Sequence, residues 1–411
     1  MLHKLLTGLF IITIINSCAQ NVEISQYRGP NRDGIFHESN LLKKWPEGGP
    51  EMLWSYEGLG AGYGNVSFYQ DRMFVCGMKD TIGFLYALNM DGKLLWKKEY
   101  GVEWYENYKG SRATPTIVDN MLYFESGQAE VFCYNADDGK LIWKVNMYEE
   151  FSAKKLRWGI RESLLVNGDV VYCTPGGPEA NVVALNRFTG ETVWTSRGNG
   201  EVSAYCSPIL VNHNGTRLLI TMTAESVIGI DAATGESYWR IEQRQTNEIH
   251  ANTPLYYEGK ILCSSAWDKT DDTGTAQILL SDDGKSVEVV WRKKEITNLM
   301  SGFILKDGFV FGSPYNKSEW YCIDWENGET KYITKAIKSG VIVYADGLFY
   351  CYTHQGEMAL VDADDKEFTV ISSFEVPLGT DPHWAHPVIH KGRMYIRHGD
   401  ALMVYDIAGS Q

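Results

Sequence analysis

The sequence predicts an all-β fold: an eight-bladed β-propeller of four-stranded antiparallel blades, closed by an N-terminal strand. Three observations predict it. An eleven-residue pattern, Ala/Gly/Cys-x-Asp/Asn-x-x-Thr/Asp/Asn-Gly-Lys/Glu-x-x-Trp, recurs along the chain. Its aromatic ends are spaced by about one propeller blade. A further turn-bearing hairpin precedes each copy.

The clearest copies run Ala184-x-Asn186-x-x-Thr189-Gly190-Glu191-x-x-Trp194 and Gly229-x-Asp231-x-x-Thr234-Gly235-Glu236-x-x-Trp239. Cys133 to Trp143 is a third, and Cys322 to Tyr332 a fourth with Tyr in place of Trp. Ala87 to Trp96 is one residue shorter, and Gly284-Lys285 to Trp291 is stretched. The steps from Trp96 onward are 47, 51, 45, 52 and 41 residues. Each copy is a strand, a turn and a strand. Gly tolerates the positive φ of the turn, and Asp, Asn and Thr close it through side-chain oxygens.

The upstream hairpins turn at Val166-Asn167-Gly168-Asp169, Tyr257-Glu258-Gly259-Lys260 and Tyr344-Ala345-Asp346-Gly347, among others, between β-rich flanks. Their starts lie near 63, 112, 161, 205, 250, 301, 339 and 384, which makes eight units. The last stops at Val404-Tyr405-Asp406 without an outer strand. Residues 51–57 form an orphan strand that is expected to complete it and remove the open edge. The expected organisation is a leader at 1–17, an irregular segment at 18–50 and one propeller over 51–411. Each repeating Trp is expected to fill the gap between adjacent sheets, so thirteen Trp do not call for a sugar-binding surface.

Leu9 to Ile15 is apolar and too short to span a membrane. Ile15-Asn16-Ser17-Cys18 resembles the lipobox of bacterial lipoproteins, which implies cleavage before Cys18 and lipid on its sulfur. The expected location is the cell envelope, with the chain held to a membrane through Cys18; Ala19 favours the outer membrane. The other seven Cys fall about one per blade inside apolar runs, with no C-x-x-C, and read as buried free thiols. A net charge of −14 argues against nucleic acid and anionic lipid surfaces.

The repeats carry the pattern known as the tryptophan-docking motif. Over roughly residues 25–407 the chain therefore resembles the pyrroloquinoline-quinone (PQQ)-like β-propeller repeat proteins. These include quinoprotein alcohol dehydrogenases and the lipid-anchored subunit of the outer-membrane protein assembly machine. Tyr27-Arg28-Gly29-Pro30-Asn31-Arg32-Asp33-Gly34, Arg112-Ala113-Thr114-Pro115 and His383-Trp384-Ala385-His386-Pro387-Val388 resemble an uncharacterised bacterial subgroup of that family. The resemblance implies PQQ with calcium as a cofactor. Two departures count against it: the sequence has no adjacent Cys pair and no identifiable Glu/Asn/Asp set for calcium. No cofactor and no metal site is predicted.

In a propeller the blade-to-blade connections open on one face, around the axis. The polar residues expected there are Tyr63, Arg112, Arg161, Glu162, Tyr205, His250, Asn252, His383, Trp384 and His386. Arg397 and His398 stand on a turn expected to share that face. Such a set suits an anionic or polyhydroxylated ligand bound by charge-assisted hydrogen bonds. Glu162, His250 and His386 are the candidates for acid–base chemistry. No nucleophile elbow, H-E-x-x-H, Walker loop or dinucleotide fingerprint occurs. Asp271-Asp272 and Asp282-Asp283-Gly284 read as solvated acidic turns. Three functions follow as expectations. The first is an envelope module binding a ligand, such as a carbohydrate, or a partner protein. The second is a quinoprotein-like oxidoreductase or sugar-active enzyme, and the third a scaffold in outer-membrane assembly.

Overall fold

The computed structural model describes residues 24–245, 247–266, 273–315 and 317–409. The expected leader, Cys18 and the Asp271-Asp272 turn lie outside the described residues. Among the described residues, no helix is long and apolar enough to cross a membrane.

Eight antiparallel sheets form a ring. Blade 1 consists of Ser67–Tyr69, Arg72–Lys79, Ile82–Asn89 and Leu94–Val102, paired in chain order. The next six blades repeat this order, and their first strands, nearest the axis, are Thr116–Val118, Leu165–Asn167, Ile209–His213, Leu255–Tyr257, Ile304–Lys306 and Gly340–Ala345. Blade 8 takes Val388–His390, Arg393–His398 and Ala401–Asp406 from the C-terminal end and its outer strand, Met52–Glu57, from the N-terminal end. The orphan strand thus closes the ring, as the sequence predicts.

The repeating aromatic links one blade to the next. Trp143, Trp194, Trp239 and Trp291 are each at most 9% exposed. Their indole N–H groups donate to Arg187 O, Ala232 O, Gly284 O and Trp325 O at 2.9, 3.3, 3.2 and 3.3 Å, each in the following blade's motif turn. Tyr332 reaches the seventh blade's turn through its hydroxyl, at 3.0 Å from Asp364 O. The motif glycine sits under the ring. Gly235 has φ +79°, and a Cβ there would meet Trp194 at 2.6 Å. The turn therefore needs Gly twice over, for conformation and for space.

The seam uses a substitute. In blades 2 and 3 the Trp lies across from a second-strand Tyr, with ring centroids 6.1 Å apart for Tyr123–Trp143 and 5.9 Å for Tyr172–Trp194. In blade 7 the corresponding outer-strand residue is Ser372, paired through Leu360 to Tyr350. Trp45, before the closing strand, fills that place. It is 2% exposed, 6.0 Å from Tyr350, and its backbone N–H donates to Ser372 Oγ at 3.0 Å. Its indole N–H has no partner among the described residues, so packing holds it.

The segment before the closing strand contributes two short pairings. Ile24–Ser25 adds an antiparallel fifth strand to blade 2, and Ile35–Phe36 a parallel one to blade 7. Both add to the exposed edges of axial strands, which otherwise leave backbone groups unpaired. Between them the chain crosses the central channel as a strap.

Trp194→Ala and Trp239→Ala are each expected to cost roughly 3–5 kcal/mol. Trp45→Ala is expected to cost as much although it lies outside the repeat. Urea melts of the three variants check this; a Trp45→Ala midpoint equal to the parent's would contradict the substitution.

Candidate functional site

The strap floors the site. Arg28 and Arg32 are 3% and 2% exposed. The Arg28 guanidinium donates to Phe303 O at 2.8 Å, Asp33 O at 3.1 Å, Ile342 O at 3.3 Å and Ser301 O at 3.4 Å, and to His386 Nδ1 at 3.0 Å. Arg32 donates to Ser163 O at 2.5 Å and to Leu164 O and Pro208 O at 2.7 Å. Two side chains thereby tie together the axial ends of blades 3, 4, 6, 7 and 8. Burial lowers both pKa values, that of Arg32 to about 10, so Arg32 stays charged at neutral pH.

Above the strap, where each outer strand passes to the next blade, lies a cavity of about 260 Å³. It is lined by Arg112, Arg157, Arg161, Trp158, Tyr205 and Trp384, together with Ile249, Leu299 and Met300. Its inner end, about 50 Å³, is lined by Tyr27, Tyr63, Ser163, Ser207 and His386, and again by Arg112, Arg161 and Trp384. Of the sequence-predicted set, Tyr63, Arg112, Arg161, Tyr205, Trp384 and His386 meet here. Each begins or flanks a blade connection, where the chain arrives at the axis.

No carboxylate lines either part. The guanidiniums lie against ring faces and carbonyls instead. Arg161 stands 5.6 Å from the Tyr205 centroid, Arg157 4.7 Å from that of Trp158, and Arg112 6.0 Å from that of Trp104. Arg112 also donates to Asn107 O at 3.0 Å and to Trp158 O and Tyr108 O. Burial lowers its pKa to about 10, and lowers that of Arg161. Burial likewise raises Tyr63 and Tyr205 to about 12, so their hydroxyls stay protonated. Trp384 packs on Tyr63 at 5.0 Å and Tyr108 at 5.2 Å.

The other predicted residues serve elsewhere. Glu162 is 1% exposed and does not line the cavity; its Oε2 accepts from Thr174 N at 2.9 Å and its Oε1 has no partner among the described residues. His250 is also 1% exposed and off the wall, and burial lowers its pKa to about 4. His386 lines the inner end, but both its ring nitrogens are engaged. Nδ1 accepts from Arg28, and Nε2 donates to Met300 O at 3.0 Å. This fixes a neutral ring, and burial holds its pKa well below the usual value. Asn252 bonds Asn298 O and Gly302 N. Arg397 is fully buried, donating to Gly64 O at 2.7 Å and Cys76 O at 2.5 Å. His383 and His398 stack on each other at 3.6 Å, outside the cavity. Sequence reasoning missed Tyr27, Arg28, Arg32, Arg157, Trp158 and Met300. The strap's turn-rich run was visible, but nothing in it marks its arginines as axial.

Glu162 carries a pH prediction. Burial is the largest cause raising its pKa, opposed by the Thr174 hydrogen bonds and by Arg32, with Glu125 raised beside it. The folded state therefore binds more protons than the unfolded chain above the ordinary carboxyl value. Stability from this group is present at acid pH and lost as pH rises through the folded value. Between about pH 5 and about pH 8, Glu162→Gln is expected to flatten the parent's decline in melting temperature. An unchanged slope would contradict the assignment.

A family model described as outer membrane protein assembly factor BamB matches residues 81–334 of the 411. The chain is 38% identical over 95 residues to the outer membrane protein assembly factor BamB of Salmonella typhimurium, covering 22% of this chain and 23% of that protein. It is 26% identical over 178 residues to the quinoprotein alcohol dehydrogenase PedH of Pseudomonas putida, covering 41% of this chain and 28% of that one. The matches thus span about a quarter of these curated relatives. The crystal structure of BamB from Moraxella catarrhalis matches with a TM-score of 0.61 at 13% identity, covering 87% of this chain and 100% of that one. The quinohemoprotein alcohol dehydrogenase of Comamonas testosteroni matches with a TM-score of 0.61 at 11% identity, covering 93% and 80%. Such structural likeness is one of fold. The family match, covering more than half of the chain, agrees with the eight-bladed ring and its Trp-ended repeats: the chain belongs to the PQQ-like β-propeller repeat family whose model is described as outer membrane protein assembly factor BamB.

Proposed function

We propose that this chain is a binding propeller of the cell envelope, whose upper channel mouth receives an anionic group of a ligand or partner protein and carries out no chemistry on it. One observation carries the reading. Three guanidiniums share a wall without a carboxylate, and Arg161 forms no ion pair or hydrogen bond among the described residues. A cation left so is poised for an incoming anion, because a charge-assisted hydrogen bond is worth about 1.5–3 kcal/mol. The protein's net charge of −14 does not cancel this attraction. Exposed charges more than about 8–10 Å away are screened at physiological salt, whereas the mouth's own arginines act at contact.

The envelope part rests on the leader-like start, the lipobox-like Ile15 to Cys18 and the relatives named as outer membrane assembly factors. Those names also favour a protein partner and an assembly role. A lipid anchor at Cys18 would hold the module at the membrane.

The catalytic alternative lacks its groups at the mouth. Glu162 and His250 stand off the wall, and both nitrogens of His386 are taken. The donors also do not suit PQQ with calcium. Calcium takes 6–8 oxygen ligands, largely carboxylates and carbonyls. This wall supplies no carboxylate, and the seven described cysteines are free, buried and not adjacent.

Calorimetry with acetate, sulfate and glucuronate against neutral glucose and glycerol tests the reading, beside a dye-linked oxidation screen. The anions are expected to bind, to weaken with salt and to lose roughly tenfold or more in Arg161→Gln. Dye reduction is expected to be absent. Equal binding of the neutral compounds, or turnover abolished by Glu162→Gln, would overturn it.

A further inference from the structure

Resting on that reading, we propose that the mouth selects one class of anion: a carboxylate carried on a single apolar, ring-sized body, seated with the carboxylate inward. The two parts of the cavity differ in size and in lining, and each fits one half of such a ligand.

The inner end is small and rich in donors. Its volume is about 50 Å³, more than the roughly 30 Å³ that one water occupies in the liquid and too little for a ring. Arg161 and Arg112 reach it, and so does Tyr63, which is 8% exposed and whose hydroxyl makes no hydrogen bond among the described residues. Tyr27, on the strap itself, adds another hydroxyl without a hydrogen-bond partner among the described residues. These groups converge as donors on one carboxylate-sized space. An Arg fork beside phenolic O–H groups suits carboxylate geometry.

The outer chamber is larger and mostly apolar. Its volume is about 260 Å³; a cavity of about 150 Å³ in another protein holds benzene. One ring with a short linker fits. Ile249, Leu299 and Trp158 line this chamber and not the inner end, and Met300 lines both. A sugar acid would set its hydroxyls against these side chains, leaving polar groups unpaired at a cost that an apolar ring avoids. The exposed Tyr108 stands at the rim, where a longer chain attached to the ring can pass out.

Two sources offer this chemistry: a free aryl-alkanoic acid, and the C-terminal residue of a polypeptide with an aromatic or large aliphatic side chain. The test is calorimetry on the full chain with five probes. They are 3-phenylpropionate, its neutral counterpart 3-phenylpropanol, glucuronate, and a pentapeptide ending in phenylalanine with a free or an amidated carboxyl. Phenylpropionate and the free-carboxyl peptide are expected to bind at least about tenfold tighter than phenylpropanol, glucuronate and the amidated peptide. Arg161→Gln is expected to erase the preference for acid over alcohol while its melting curve stays that of the parent. Arg161→Lys should restore it in part. If that glutamine variant does not fold, Ile249→Asn gives the second reading and should weaken phenylpropionate but not acetate. A peptide far tighter than the free acid identifies a chain terminus as the source, and equal affinities identify a small acid. Glucuronate or sulfate binding as well as phenylpropionate would overturn this inference and leave the anion-receiving mouth standing. Failure of every anion to bind would overturn both.

Discussion

The strap across the axis is the constraint on which the site depends. A ring of eight blades turns the ends of its first strands toward a channel, where carbonyls need donors and no neighbouring strand is present to supply them. Arg28 and Arg32 supply them from one short segment. Burying a guanidinium costs several kcal/mol unless its N–H groups are satisfied. Arg32 meets three carbonyls within 2.7 Å through its terminal nitrogens, its Nε having no partner among the described residues, and Arg28 meets four carbonyls and a neutral imidazole nitrogen. Each such bond to a charged donor contributes about 1.5–3 kcal/mol, enough to offset the desolvation. The same contacts turn an open channel into a blind pocket with Tyr27 in its floor.

What was legible in the sequence was what repeats locally. The Trp, the turn glycine and the spacing between them all lie within about fifty residues of one another, and they record the packing of each blade on the next. The seam was not legible. Ser372 stands where the pattern wants an aromatic, and the ring that fills the place, Trp45, comes from a segment far away in sequence. Nor were the strap strands legible, because two residues pairing to an edge leave no periodicity to read.

The site was legible in part, and alternation explains which part. The connections run extended into the axis, so successive side chains point to opposite sides. Arg161 faces the cavity and its neighbour Glu162 does not; Trp384 lines it and its neighbour His383 stacks on His398 outside. Taking both members of each adjacent pair as axial counted one too many. The residues that do line the cavity give the mouth a different character from the one expected. Three histidines, arginines and a glutamate suggested acid–base chemistry. The wall that forms has arginines and rings, which favours recognition over proton transfer. Fold membership would not have separated these, since one ring hosts both enzymes and assembly factors.

Native-state hydrogen exchange of the strap amides tests the central claim most directly. Arg32 N–H donates to Gly29 O, Gly34 N–H to Arg28 O and Ile35 N–H to Asp33 Oδ1, while Tyr344 N–H of blade 7 donates to Gly34 O. If the strap is an integral part of the ring, these amides exchange only with global unfolding, at the rate of axial-strand amides such as that of Ile342. Fast exchange of the strap under conditions in which the axial strands stay protected would contradict the account, for the channel would then stand open and the blind pocket would have no floor.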